Sequence, residues 1–256
     1  MKSKVVTTVI ANYNYGRYVL SAIQSALDAE VNNFLHKIVV VDDGSTDDSV
    51  KKIVDTFSFD SCMFKDGFTN YSNDSLDLII TPNQGASVAR NIGMRKYWDT
   101  TDYFHILDSD DKISRLKLVK MVEKMTEPEI GVVYADYYIS RDMYNKYEYK
   151  LPYDPITLNK KCIVHSGSLI KKEYLEKVKL PNGDIYDKKL HGPGSEEFIG
   201  CTEDYDLWLR LAKQCMMTHI AEPLTIVSEH GDNQSLKMNT EIFNNNAKHM
   251  KERANA

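Results

Sequence analysis

The sequence predicts a single α/β domain, with a Rossmann-like, mainly parallel central sheet covered by helices on both faces. Three observations carry that expectation. Apolar β-like runs alternate with helical patterns through the first half of the chain, the loops after those runs gather the polar and glycine residues, and a composition of 42% hydrophobic and 27% charged residues is that of an ordinary globular protein. A chain of 256 residues is long enough for one sizeable core.

"KVVTTVIA" (residues 4 to 11) reads as a buried strand, and Leu20, Ile23 and Leu27 then mark one face of a helix. "KIVVVDD" is the second strand; Val50, Ile53, Val54 and Phe57 follow at i, i+3, i+4, i+7, with Ser45 available as N-cap. "LDLII" (76 to 80) is the third, followed by a helix through Ala89 and Ile92. "YFHIL" (103 to 107) is the fourth, after which Ser114 is placed to cap a helix carrying Leu118, Val122 and Met125. The second half is less regular: "GVVYADYYI" and "CIVHSGSLI" read as strands, and "TEDYDLWLRLAKQ" as a helix with acids in its first turn, where the dipole favours them. Residues 58 to 75 and 182 to 200 read as long loops, and residues 236 to 256 as a polar tail.

Charge and cysteine content exclude several classes. Net charge is −5 with no dense Lys/Arg block, so nucleic acid is not expected as a partner. The four cysteines are far apart with no C-x-x-C pair, which suggests reduced thiols rather than a zinc ribbon or disulfide framework. No apolar run approaches the roughly 18 residues of a transmembrane helix. A cytoplasmic protein, with peripheral membrane contact at most, is the expectation.

In an open α/β sheet, ligands bind beyond the carboxyl ends of the strands. Four polar clusters, "NYNYGR", "DDGSTDD", "NQGASVARN" and "DSDD", should share that edge. The carboxylates of Asp108, Asp110 and Asp111 repel one another and resist losing water, so they suit a divalent cation such as Mn²⁺ or Mg²⁺; a solvated acidic turn is the alternative. Asp42 and Asp43 can accept hydrogen bonds from a ligand, while Asp47 and Asp48 serve the following helix. Tyr13 offers a flat face for a base, Gly85 permits close backbone approach, and Arg90 can meet a phosphate or form an ion pair. Glu203 and Asp204 open a helix where one carboxylate can act as general base, and His230 lies in a polar loop where it can join a metal site.

The series "VIANYNYGRYVLSAIQSAL", "IVVVDDGSTDDSV", "NQGASVARNIGM", "ILDSDD" and "TEDYDLWLRL", in this order, resembles a family-2 inverting glycosyltransferase of the GT-A fold, densely over residues 4 to 120 and again at 202 to 212. The resemblance implies one glycosyltransferase domain over 1–256, with a nucleotide-sugar-binding half (1–112) and an acceptor-binding half (113–235). It implies stacking of a nucleobase on Tyr13 and a hydrogen bond to it from Asp43, with Ala11 where some members use a Thr. Asp110 would approach the ribose and Asp111 hold the metal, Asp108 having the less defined role. Asp204 would be the catalytic base, supported by Glu203 and Arg210, and His230 would correspond to a histidine that certain members use near the metal. The donor would be a nucleoside-diphosphate sugar, with uridine favoured by analogy, and the acceptor a glycan, a lipid-linked or another hydroxyl. A sugar-nucleotide pyrophosphorylase or nucleotidyltransferase, and a non-catalytic sugar-nucleotide binding module, are the alternatives. The first would show a glycine-rich, basic loop after the first strand, where this chain has "NYNYGR".

Overall fold

The computed structural model describes residues 3–65, 67–141, 144–188, 190, 202–231, 233, 248, 250 and 251. Its central strands are β1 (Lys4–Asn12), β2 (Phe34–Asp42), β5 (Leu76–Ile80) and β6 (Tyr103–Asp108), all parallel in the order β5-β2-β1-β6. Their residues are apolar in continuous runs because both faces are covered, as parallel sheets require. Helices α1 (Val19–Leu27), α2 (Ser49–Thr56) and α3 (Ala86–Tyr97) make the crossovers. The α1 face that goes inward is Val19, Ala22, Ile23 and Ala26, so Leu20 and Leu27 sit at its margin.

Residues 58 to 75 are not a loop. They form the hairpin β3 (Ser61–Lys65) and β4 (Phe68–Ser72), which adds antiparallel to the β5 edge. Every residue of β3 is exposed, so no in/out alternation marked it in the sequence. Neither expected serine cap forms. The α2 N-cap is Asp48, Ser45 turning instead to Asp42 and Asn14, and α4 (Lys117–Lys124) is preceded by Leu116, with Ser114 contributing only its carbonyl to the Lys117 N–H.

Beyond β6 the sheet becomes mixed: β10 (Leu169–Lys171) pairs antiparallel with β6 and with β8 (Ile130–Arg141), and β8 runs parallel to β11 (Met216–Ser228). Strand β9 (Tyr144–Glu148) folds back on β8, and the two-residue β7 (Lys112–Ile113) pairs with β11, so the expected boundary between halves falls inside a strand. Of "CIVHSGSLI" only the end is strand; the rest is the loop carrying His165 and Ser166. Helices α5 (Pro155–Lys160), α6 (Lys172–Lys177) and α7 (Glu203–Leu211) complete the described elements. The α7 core face is Leu207, Trp208 and Leu211, packed in the cluster that also holds the α3 side of the sheet. The expected loop over 182 to 200 and the tail lie largely outside the described residues.

Candidate active site

The loops after β1 and β2 are joined by short polar contacts. Asn14, at φ 58°, accepts from the Thr46 and Asp47 N–H groups and gives its own N–H to Ser45 Oγ, while Asp47 accepts from the Gly16 N–H. Asp42 is 0% exposed and accepts from Asn12 Nδ2, the Ser45 N–H and the Ser45 hydroxyl. These bonds brace the turn, a structural role beyond the ligand contact that the sequence suggests for it. Asp43, 2% exposed, accepts from the Gln84 and Gly85 N–H groups at 2.8 and 2.7 Å, one on each oxygen, tying the second loop to the third. Gly85 has φ +92°, a conformation that an L side chain rarely adopts, which explains the glycine in "NQGAS", and its N–H donates to Asp43. Tyr13 remains at the lip, 43% exposed, and Ala11 lies within β1 opposite Val41 and Asp108.

Arg90 joins the two parts of the site. Its guanidinium is buried, donates to Glu203 Oε1 at 2.6 Å and to Asp108 Oδ1 at 2.9 Å, and lies 3.9 Å from Asp204 Oδ1. Arg90 is therefore a clasp between carboxylates, not an open phosphate contact. The neighbouring Asn91 accepts from the Ile185 and Tyr186 N–H groups and donates to the Tyr186 carbonyl, holding that segment beside the clasp. Asp108 also accepts from Ser166 Oγ at 3.0 Å. Burial acts to raise its carboxyl, yet Arg90 and Ser166 bring it below the ordinary value.

Asp204 is built differently. Among the described residues its Oδ1 is buried with no hydrogen-bond partner. Burial pushes the carboxyl up to about 7; Arg90 pulls it down, while Glu203 and Asp108 add to the rise. A helix N-terminus would ordinarily favour the ionised acid, so desolvation and like charge prevail here. Arg210 does not touch this carboxylate. It pairs with Asp206 at 2.9 Å and donates to the Val178 and Ile185 carbonyls, fixing α7 to the preceding chain.

At the end of β6 the acids diverge. Asp110 Oδ2 lies 3.2 Å from His230 Nε2 and accepts from Asn233 Nδ2 at 3.1 Å. The His230 ring stacks on Tyr18, with centroids 4.3 Å apart. Burial and Asp108 push the Asp110 carboxyl up to about 6, with His230 opposing. Asp111 is deeper, 5% exposed, accepting from the Ser228 N–H at 3.0 Å. Burial, Asp110 and Asp108 raise it well above the ordinary value, while the nearby Lys117 opposes. Thus Asp110 lies beside His230, whereas Asp111, the residue expected to hold the metal, accepts from the Ser228 N–H deeper in the fold. A carboxylate oxygen with an imidazole nitrogen suits Mn²⁺, whereas Mg²⁺ would rest on the carboxylate alone; either ion commonly takes few protein ligands and completes its shell with water and phosphate oxygens. No cluster of three metal-ligating side chains occurs among the described residues.

Sequence reasoning missed the supporting residues Asn14, Asn91, Ser166 and Lys117. Only Asn14 carried a local signal, as a polar residue in a turn able to adopt positive φ. No helix among the described residues is long and apolar enough to cross a membrane.

Comparison with known proteins identifies the fold and the family. An uncharacterized glycosyltransferase of Haemophilus influenzae is 30% identical over 138 residues, 54% of this chain and 48% of that protein. The glycosyltransferase GlyG of Streptococcus pneumoniae is 28% identical over 137 residues, 53% of this chain and 40% of its own. The chain thus matches about half the length of these relatives or less. Among solved structures, S. aureus TarS in complex with UDP superposes with a TM-score of 0.66 at 14% identity, covering 97% of this chain and 64% of that one. The mannosyltransferase PcManGT of Pyrobaculum calidifontis, in complex with GDP-Man and Mn²⁺, gives 0.58 at 18% identity, covering 88% and 56%. These likenesses show the GT-A fold. The model of glycosyl transferase family 2 matches residues 7–179, more than half of the chain, and the protein belongs to that family of enzymes.

Proposed function

We propose that this enzyme moves a sugar from a nucleoside-diphosphate sugar, a UDP-sugar in the first instance, to an acceptor hydroxyl by a single inverting displacement, with Asp204 as general base. The observation that carries this reading is the buried Asp204 Oδ1, without a hydrogen-bond partner among the described residues and 3.9 Å from an arginine that hydrogen-bonds two other carboxylates. TarS structures hold UDP and UDP-GlcNAc, and PcManGT holds GDP-Man, so both nucleotides belong in the test.

In this mechanism Tyr13 presents its ring to the base, and the loop network around Asp42, Asp43 and Gly85 shapes the floor beneath it. Asp110 and His230 would hold Mn²⁺ or Mg²⁺, which when bound supplies positive charge against the leaving diphosphate. Asp204 accepts the proton of the acceptor hydroxyl as that oxygen bonds to the anomeric carbon. The bond from that carbon to the diphosphate oxygen breaks on the opposite face, and the configuration inverts. Arg90 pairs with Glu203 and Asp108, and Asp204, raised by burial to about 7, is poised to change protonation near neutrality. The alternative of a pyrophosphorylase is not favoured by the family or by the loop after β1.

Incubation with UDP- and GDP-sugars and Mn²⁺, followed by nucleoside diphosphate release, is the test. Asp204→Asn should lower turnover by about 10²- to 10⁴-fold with the fold retained. Because the base must be ionised, the wild-type rate should climb as pH rises through about 7 and then level. Turnover unchanged in Asp204→Asn would remove the assigned base.

A further inference from the structure

We propose that Lys150, with Tyr137 and His165, forms an anion subsite on the acceptor side of the cleft, so that the acceptor carries a phosphate or carboxylate near its reacting hydroxyl. The inference rests on the glycosyl-transfer reading and adds to it a class of acceptor. It starts from an unusual cation. Among the described residues, the deeply buried cations have partners: Arg90 on Glu203 and Asp108, Arg210 on Asp206, and Lys117 on Thr225 Oγ1 at 2.7 Å. The half-buried Lys150 ammonium makes no ion pair or hydrogen bond among the described residues and lies 5.3 Å from the Tyr137 ring centroid.

Its position is fixed. The Lys150 N–H donates to Asp136 Oδ1 at 2.7 Å, and the next carbonyl, of Leu151, accepts from Tyr134 Oη at 2.6 Å. The nearby acids are otherwise engaged: Asp136 also meets Tyr147 Oη and His219 Nε2, and Glu148 pairs with Lys146 at 3.2 Å. Burial lowers the Lys150 ammonium from its ordinary value, against Cys162, Glu148 and Asp136. An ammonium held this way, with only an aromatic face for company, is stabilised by an incoming anion.

The same ring leads to the catalytic acids. Tyr137 and His165 lie with centroids 4.6 Å apart, and Ser166, next in the chain, donates to Asp108. His165 Nδ1 accepts from the Gly167 N–H at 3.0 Å, which assigns the proton of the neutral imidazole to Nε2 as a second donor. Burial, Lys150 and Lys117 keep that ring neutral, its value pushed down to about 3. The exposed Cys162 precedes His165 by three residues on the same loop, and the path from Ser166 through Asp108 and Arg90 reaches Asp204, which sets the subsite on the side of the base.

Cys162 is also the reporter. The full-length protein is treated with iodoacetamide, and alkylation of Cys162 and of the exposed Cys62 on β3 is followed by mass spectrometry, with glycerol 3-phosphate, glycerol or UDP as probe. Glycerol 3-phosphate should slow Cys162 alone, and glycerol neither thiol. Lys150→Met should weaken that protection about tenfold, the loss of one charge-assisted hydrogen bond, and Lys150→Arg should retain it. The ratio of rates with and without probe, taken within each variant, cancels any change in thiol reactivity. Absent protection in the wild type, or protection undiminished in Lys150→Met, overturns the subsite. If Lys150→Met instead removes protection by UDP, the anion belongs to the donor diphosphate and the acceptor assignment is overturned. Calorimetric titration with UDP- and GDP-sugars in the same samples separates the two readings: no nucleotide binding defeats the glycosyl-transfer reading, whereas nucleotide binding without Cys162 protection defeats the subsite only.

Discussion

Two pairs of adjacent acids, Asp42–Asp43 and Glu203–Asp204, carry the same charge and have different surroundings. In the first pair both carboxylates accept from backbone N–H groups, and Asn12 and Ser45 add further donors. In the second, Glu203 accepts from Arg90 at 2.6 Å, while Asp204 Oδ1 stands 3.9 Å from the same guanidinium and has no hydrogen-bond partner among the described residues. Carboxylates that accept several hydrogen bonds stabilise a turn; a desolvated one with fewer donors takes up a proton more readily, which is the property the proposed base requires.

That contrast can be broken most severely at Arg90. Arg90→Met would leave Glu203 and Asp108 buried without their counter-ion, and removing one partner of such a group destabilises by about 3–5 kcal/mol, read as a lowered urea midpoint. A loss under about 1 kcal/mol would mean that the clasp is not what holds the second pair. Next in size is Asp110→Ala, which should weaken Mn²⁺ binding by about tenfold or more, measured as free Mn²⁺ by electron paramagnetic resonance, independently of turnover. Unaltered Mn²⁺ affinity would return Asp111 to consideration as the ligand. Smallest is Tyr13→Ala. Tyr13 is exposed, so stability should hold within about 0.5 kcal/mol, while loss of base stacking should weaken nucleotide binding by about 1–3 kcal/mol in a calorimetric titration.

The central sheet was legible because β1, β2, β5 and β6 are continuous apolar runs, each followed by a polar loop. Strand β11 was not: Pro223 and three register irregularities break its pattern, and its pairing with β8 depends on residues about ninety positions earlier. The β3–β4 hairpin escaped because an exposed edge leaves no periodic signature. At the site, the residue types were legible and their partners were not. Arg90 was visible as a cation in a polar loop, but its clasp spans 113 positions to Glu203, and nothing local distinguishes a phosphate contact from a carboxylate contact. Asp110 and Asp111 are neighbours in sequence, and only the approach of Ser228 and His230 from the far end of the chain tells them apart.

Strand β10 is three residues long, yet it is the piece that lies between β6 and β8. During synthesis the parallel strands emerge first, and the outer edge of β6 waits with unpaired N–H and C=O groups until residues 169–171 leave the ribosome. A fragment ending near residue 112 would keep that edge permanently open and lack Glu203, which holds Arg90 from the other side. The strand that closes the β6 edge and the carboxylate that holds Arg90 therefore both come from beyond residue 112, and neither is in place until the later part of the chain has been made.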